Sequence, residues 1–225
     1  MLSKNDPPFW VTADKQETGR GRLGRHWVSE PGNLYASLIL AKPAPPDRIG
    51  TLGLVIGVAL RNAITVATGW DGFHLKWPND VLFDGAKVSG LLIEGFVRDR
   101  TPHVVIGCGV NCTHHPTDTP YPTTDLAALG FPVEPLRLFE HLRDETDRAL
   151  AAWNRGVGFG TIRSQWLAHA AGLGRPALVS VPGGKLQGMP RTIDDDGRLI
   201  LDTETGTERI AAGDLYPSLV RPSSE

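Results

Sequence analysis

Sulfur is scarce in this sequence, with two cysteines and two methionines among 225 residues. Cys108 and Cys112 stand together in Cys-Gly-Val-Asn-Cys, which excludes the multi-bridge framework of a small secreted domain and fits reduced thiols. With His114 and His115 they crowd four potential metal ligands into eight residues. That leaves little room for a tetrahedral shell and lacks the two-pair spacing of zinc modules, so a buried cysteine with surface histidines is the simpler reading. Long apolar runs are missing as well. The longest, Gly50 to Leu60, stops at Arg61, well short of the ~20 residues that span a bilayer. Met1 to Pro8 carries no apolar h-region and no small-residue cleavage site, so the expected location is cytoplasmic. A basic excess is absent too: 23 Lys and Arg against 25 Asp and Glu leave a net charge of −2, unlike a general nucleic-acid binder. What remains, 40% hydrophobic and 21% charged residues, is ordinary globular composition, neither disordered nor fibrous. The length accommodates one substantial domain and a small second one.

The pattern along the chain predicts a strand over Pro8 to Ala13, a polar glycine-rich loop from Asp14 to Asn33, and a strand over Leu34 to Leu40. Lys42 to Arg48 is too rich in proline to be either regular element. Leu52 to Thr68 has helical spacing, with Gly53, Gly57 and Ala59 allowing close packing on a sheet, and Gly69 stops it. Strands are expected over His74 to Trp77, Val81 to Phe83, Val88 to Phe96 and Val104 to Val110, with Asp84-Gly85 as a hairpin turn. Leu136 to Val157 and Phe159 to Leu173 read as helices. Beyond Gly172-Leu173-Gly174 the period shortens to two, between turns at Pro182-Gly183-Gly184, Asp194 to Gly197 and Thr203 to Gly206, which implies a small β-barrel. The fold class is α+β: a mixed sheet with packed helices over residues 1–172, then a barrel domain over 173–225.

Three segments carry residue types suited to chemistry. Gly19 to Gly24 formally matches the G-x-G-x-x-G dinucleotide fingerprint, yet Pro31-Gly32 interrupts and a strand follows where a helix must open. What is left is a loop that brings Arg20, Arg22 and Arg25 among glycines. Such a loop lets the backbone approach a ligand while guanidinium groups grip phosphate or carboxylate; a solvated arginine loop is the plain alternative. Lys76-Trp77-Pro78-Asn79-Asp80 sets a cation, an amide and a carboxylate at a strand end, and a hairpin at Asp84-Gly85 returns Lys87 towards Asp80. The plain alternative there is a surface ion pair worth ~0 to 1 kcal/mol. Gly107 to Asn111 ends a buried strand in small residues and an amide, suiting close approach by a ligand.

Together these segments resemble the catalytic domain of biotin protein ligases, which activate biotin with ATP and attach it to a lysine of a carrier domain. Gln16 to Arg25 resembles the family's glycine-arginine loop, Lys76 to Asp80 its Lys-Trp-Pro-Asn-Asp motif, Lys87 to Glu94 the lysine strand, and Gly107 to Asn111 its Gly-x-Gly-x-Asn element. The resemblance implies the biotin/lipoate ligase version of the class II aminoacyl-tRNA synthetase-like fold, with an SH3-like C-terminal barrel. It also implies roles. Gln16, Arg20, Gly21, Arg22 and Lys87 bind biotin; Arg20, Arg22, Arg25, Lys76, Trp77, Asn79 and Asn111 bind ATP; Asp80 and Asn111 hold Mg²⁺; Lys87, Arg20 and Arg22 are catalytic. The implied partners are biotin, ATP and the biotin carboxyl-carrier domain of a carboxylase, with room for a homodimer and with neither DNA nor membrane.

Two departures accompany the resemblance. Leu23 stands where many members have another arginine. The family's upstream Ser-Thr-Asn element, which touches biotin, and the DNA-binding domain of some members have no counterpart, since Ser3-Lys4-Asn5 is too near Pro8 to replace the former. The competing readings are a lipoate-type protein ligase and a non-catalytic biotin-binding or regulatory protein.

Overall fold

The computed structural model describes residues 8–217, so Ser3-Lys4-Asn5 and the end of the expected barrel domain lie outside the described residues. Six strands, β1 (Phe9–Ala13), β2 (Leu34–Ala41), β3 (Phe73–Lys76), β4 (Asp80–Phe83), β5 (Ala86–Arg98) and β6 (Thr101–Val110), form one sheet in the order β1-β2-β6-β5-β4-β3. Neighbouring strands all run antiparallel; among the described residues parallel pairing is confined to isolated bridges at Leu75–Ala170 and Lys87–Thr123.

Alternation along β2, β5 and β6 gives this sheet two unlike faces. Leu34, Ala36, Leu38 and Leu40 stand opposite Val110, Cys108, Ile106 and Val104 and are buried with them. The other face sets Tyr35 and Ser37 beside Gly109 and Gly107, which in turn pair with Gly90 and Leu92. One face therefore builds the core, while the other, stripped of side chains at three glycines, is left open for something else.

The described residues also form four α-helices: α1 (Pro46–Ile49) and α2 (Leu52–Thr68) between β2 and β3, then α3 (Pro135–Trp153) and α4 (Phe159–Ala168) after β6. By length and composition Pro46–Thr68 is apolar enough to cross a membrane, but 72% of its most apolar 18-residue window is buried inside the protein, so it reads as a core helix. An added Cβ at Gly57 would make only ordinary contact with Leu75 and Leu91, at 3.7 and 3.9 Å, whereas one at Gly53 would lie 3.0 Å from Ile93 Cδ1, so the close helix-on-sheet approach is at Gly53. Gly69 ends α2 in the left-handed conformation at φ 71°, its N–H donating to the Thr65 carbonyl at 2.8 Å.

Several boundaries differ from the sequence reading. The proline-rich connection does contain a helical turn, α1, because Pro46 occupies a first-turn position where its missing N–H costs nothing. Trp77 leaves β3 to enter the core. β5 runs on to Arg98 and turns into β6 through Asp99-Arg100, both at positive φ, a hairpin turn with no glycine to announce it. α3 ends at Trp153 because Asn154 adopts the left-handed cap. The residues after α4 leave the helix to cover the edge of β3: Leu75 N–H donates to His169, and Ala171 N–H to Leu75, each at 2.8 Å.

The C-terminal part is a second antiparallel sheet, that of the SH3-like barrel: β7 (Ala177–Val181), β8 (Gly184–Ile193), β9 (Leu199–Thr203), β10 (Gly206–Ile210) and β11 (Asp214–Pro217), in the order β10-β9-β8-β7-β11. Val179, Ile193, Leu199, Leu201 and Leu215 fill it and join the core of the first sheet. Arg163 of α4 donates to the Ile193 carbonyl at 2.6 Å, and the Trp77 indole N–H to Gly197 at 3.2 Å. The barrel is thereby seated where β11 faces the open side of the first sheet.

Candidate active site

A cavity of about 270 Å³ lies over the glycine-lined face, between the sheet, the 14–33 loop and β11, just below the ~300 to 1,000 Å³ typical of small-molecule sites. Its wall on the strand side is an ionic cluster. The Asp84-Gly85 turn, with φ of 45° and 80°, folds β4 against β5, and a register shift after Val81 places Lys87 opposite Leu82. Asp80 consequently receives Lys87 Nζ at 2.6 Å on Oδ1 and Lys76 Nζ at 3.0 Å on Oδ2. Burial works to raise the Asp80 carboxyl, but Lys87 and Lys76 outweigh it and hold the group below its usual value. Two ammonium groups share one carboxylate, leaving a surplus positive charge at the cavity.

The loop side repeats this arrangement with other residues. The loop folds back on itself through an Arg20–His26 bridge, with Trp27 N–H donating to Gly19 at 2.9 Å and Gly21 N–H to Arg25 at 2.7 Å. Gly19 is the glycine that this fold demands, since a Cβ there would lie 2.5 Å from the Trp27 carbonyl; at Gly21 the nearest neighbour would be 3.5 Å away. Arg22 Nη1 donates to Asn79 Oδ1 at 3.1 Å, to the Gly213 carbonyl at 3.0 Å and to Asp214 Oδ1 at 3.0 Å. Arg25 pairs with the other oxygen of Asp214. Burial opposes the charge on Arg25, yet Asp214 prevails and raises its pKa. Two guanidinium groups thus share one carboxylate.

The floor is aromatic and glycine-lined. A Cβ at Gly109 would lie 2.6 Å from the Trp27 ring, and one at Gly90 would lie 3.3 Å from it. The indole therefore lies directly over the two glycines, within the cation–π range of Lys87 Nζ at 5.5 Å. Tyr121 approaches Lys87 and Lys76 at 5.6 and 6.0 Å, and Tyr216 approaches Lys76 at 5.8 Å.

The structure gathers Gln16, Arg20, Gly21, Arg22, Arg25, Lys76, Asn79, Asp80 and Lys87 around this one cavity. Arg20 is the loosest of them, with only an exposed pair to Glu94 at 3.6 Å. Gln16 Oε1 accepts from Ser29 at 3.1 Å. Two expected site residues are placed elsewhere. Trp77 is a core residue held to Gly197. Asn111 is buried with its amide donating to the Thr124 carbonyl at 3.0 Å, which fixes the segment that bonds to Lys87 through Lys87 N–H to Pro122 and Thr124 N–H to Lys87. Asp80 is engaged by two lysines, while Asn111 spends an amide N–H, not the Oδ1 that a cation would take, on the Thr124 carbonyl. Among the described residues no three His, Cys, Asp or Glu side chains converge as metal ligands. Cys108 and Cys112 are free thiols whose pKa burial pushes up to about 12.

Sequence reasoning missed Trp27, Tyr121, Asp214 and Tyr216. Trp27 had a signal, an aromatic ring inside an otherwise polar loop. Asp214 had none, for it lies 192 residues from Arg22 in a strand whose pattern speaks only of a barrel.

Comparison with known proteins bears on the same residues. Residues 2–111 match the Biotin/lipoate A/B protein ligase family and residues 172–216 the Biotin protein ligase C terminal domain. The chain is 35% identical to a biotin–[acetyl-CoA-carboxylase] ligase of Paracoccus denitrificans, covering 92% of this chain and 89% of that one. It is 33% identical to the bifunctional ligase/repressor BirA of Bacillus subtilis, over 95% and 68% of the two chains. Its fold superimposes on the Aquifex aeolicus biotin protein ligase solved with biotin and ATP at a TM-score of 0.80 and 28% identity, covering 93% and 89%. With both domains, their order and the motif-bearing segments all matched, the chain belongs to the biotin protein ligase family.

Proposed function

We propose that the chain is an ATP-dependent biotin–[biotin carboxyl-carrier protein] ligase: it forms biotinyl-5'-AMP and pyrophosphate, then transfers biotin to a lysine of a carboxylase carrier domain. The observation that supports this reading best is the pair of cationic clusters, Lys76/Lys87 around Asp80 and Arg22/Arg25 around Asp214, across one glycine-floored cavity. In the first step a biotin carboxylate oxygen bonds to the α-phosphorus and pyrophosphate leaves, so two anions must be brought together. Fixed cations in a partly dry site offset that repulsion and stabilise the charge of the transition state. In the second step the carrier amine attacks the carbonyl of the mixed anhydride, the amide forms, AMP leaves and the amine loses a proton. That step needs mainly positioning, and no covalent enzyme intermediate is required.

Within this proposal Lys87 faces both the biotin carboxylate and the α-phosphate, and Gln16, Gly21 and the Trp27 ring contact biotin. Arg20, Arg22, Arg25, Lys76 and Asn79 serve the phosphates. Trp77 and Asn111 act from behind the wall, Asn111 by fixing the segment that carries Tyr121. Mg²⁺ belongs to the proposal as a companion of the nucleotide phosphates, which is the usual way that this ion is held beside one or two carboxylates. Residues 1–172 form the catalytic domain and 173–225 the barrel domain in this reading, a cytoplasmic enzyme without DNA affinity. A homodimer would pair through β1, which stands at the edge of its sheet. The test is pyrophosphate release from ATP with biotin and, separately, with lipoate. Release with biotin alone is expected; release with lipoate alone makes the chain a lipoate-type ligase, and release with neither makes it a binding protein.

A further inference from the structure

We propose that a second, smaller cavity is the port through which the acceptor lysine reaches the mixed anhydride. The inference deepens the proposed function and rests on its placing of the biotin carboxylate at Lys87. The cavity, of about 150 Å³, lies between the turn Trp77-Pro78-Asn79, the start of α2 and the barrel.

This cavity and the larger one share Arg22, Asn79 and Leu91 in their linings, so a single wall divides them. Asn79 is the middle of that wall: its Nδ2 donates to the Leu91 carbonyl at 2.6 Å, and its Oδ1 accepts from Arg22 at 3.1 Å. The next residue, Asp80, holds Lys87 at 2.6 Å. A group that arrives at Asn79 from the smaller cavity therefore stands one residue from the carboxylate that holds Lys87. Arg22 can release Asn79 and stay in place, because Gly213 and Asp214 hold the same nitrogen. The walls select the occupant. Leu54, Trp77, Pro78, Leu91 and Ile93 are apolar, and among the described lining residues none is acidic. Such walls match the methylene stem of a lysine. A dry passage with no counter-charge, ending at a guanidinium, favours the neutral amine over the ammonium, and the neutral amine is the form with a lone pair for attack. Its N–H donates to Asn79 Oδ1 while its nitrogen bonds to the biotin carbonyl carbon. The acyl C–O bond breaks, AMP leaves with that electron pair, and the surplus proton passes to water. Pyrophosphate suits the passage less, since a polyanion would face apolar walls with one cation. Small residues keep the passage clear: a Cβ at Gly197 would lie 2.9 Å from Leu54 Cδ1, and one at Gly53 would lie 3.0 Å from Ile93 Cδ1.

The experiment fills the passage from two sides in the full chain, with Ala212→Leu on the barrel and Gly50→Leu before α2. Both positions are exposed, and Gly50 has a helical φ of −57° with nothing within 4 Å of an added Cβ. Melting temperature, pyrophosphate release from ATP and biotin without carrier, and biotin transfer to a carboxylase carrier domain by intact mass are measured on each. The proposal expects an unchanged melting temperature, pyrophosphate release close to that of the unaltered chain, and transfer slowed ~10²-fold, the loss that a ~1 Å misplacement of a reacting group can cause. Ala212→Asp adds a carboxylate that holds the ammonium form, so the rise of transfer rate with pH should move to higher pH than in Ala212→Asn, with no such shift in pyrophosphate release. Transfer at the unaltered rate in both leucine variants overturns the proposal. So does a loss of pyrophosphate release in step with transfer, which would make the cavity the exit of pyrophosphate. If the leucine variants melt lower, the aspartate and asparagine pair decides, and a shared pH profile overturns the proposal. An unaltered chain that releases no pyrophosphate, or that releases it and leaves the carrier unmodified, contradicts the proposed function itself; one that does both leaves only the port in question.

Discussion

The two ionic clusters facing each other across the cavity share a formula and differ in how they are built. In the strand cluster, Lys76, Asp80 and Lys87 come from one stretch of chain, and a four-residue strand, a tight turn and one bulge bring them together. Their carboxylate is buried and its charge is fixed by its neighbours. In the loop cluster, Arg22 and Arg25 sit on a strained turn with little packing of its own, and their carboxylate arrives from another domain. The first cluster is part of the fold; the second depends on the docking of two parts of the fold. A cation wall built within one strand pair thus stands opposite a wall assembled from two distant parts of the chain.

If that contrast is right, damage to the strand cluster should appear first as lost stability. Asp80→Asn leaves two buried ammonium groups facing each other without a counter-charge, a change expected to cost about 3 to 5 kcal/mol. The effect has a pH signature. Lys87 and Lys76 hold the Asp80 carboxyl below its ordinary value in the folded chain despite its burial, so its contribution is complete above the ordinary carboxylate value and disappears as pH falls through the lower folded value. Thermal melts should show the unaltered chain well ahead of Asp80→Asn at neutral pH, and the two converging in acid. A gap that stays constant down to strong acid would place the stabilisation elsewhere.

Lys87→Ala addresses the chemistry of the same cluster. Removal of one preorganised donor of this kind lowers rates ~10² to 10³-fold, or ~2.7 to 4 kcal/mol, and biotin-dependent pyrophosphate release should fall accordingly. Near-normal release would remove Lys87 from the mechanism. The smallest effect is expected where the two sides meet. Gly109→Ala pushes a methyl group into the Trp27 ring at 2.6 Å, an overpacking of about 1 to 3 kcal/mol. It should displace the loop, weaken biotin binding in calorimetry and lower the melting temperature by less than Asp80→Asn does. Unchanged binding would mean that the indole is not part of the biotin wall.

The same contrast explains which parts were legible in the sequence. The strand cluster could be read because its logic is local: Asp84-Gly85 fixes a hairpin, and a hairpin fixes which residues return together. The helix Leu52–Thr68 and its stop at Gly69 were legible for the same reason. The Gly90, Gly107 and Gly109 floor was half legible, since glycines in strands announce close approach without saying by what; at Gly90 and Gly109 the answer is Trp27, from the loop between β1 and β2. A nucleotide role for Trp77 comes from the family resemblance alone; what the fold shows is a buried indole that donates to Gly197. Asp214 was invisible. Its importance lies in a contact across the domain interface, and no periodicity or spacing encodes that.

The most direct measurement is the intact mass of a carboxylase carrier domain incubated with the chain and biotin, with and without ATP, alongside a carrier whose acceptor lysine is replaced by arginine. One biotinyl group should appear on the carrier only when chain, biotin and ATP are all present, and never on the arginine variant. A carrier that stays unmodified under the full conditions, or that gains biotin without ATP, would contradict the proposed ligase activity.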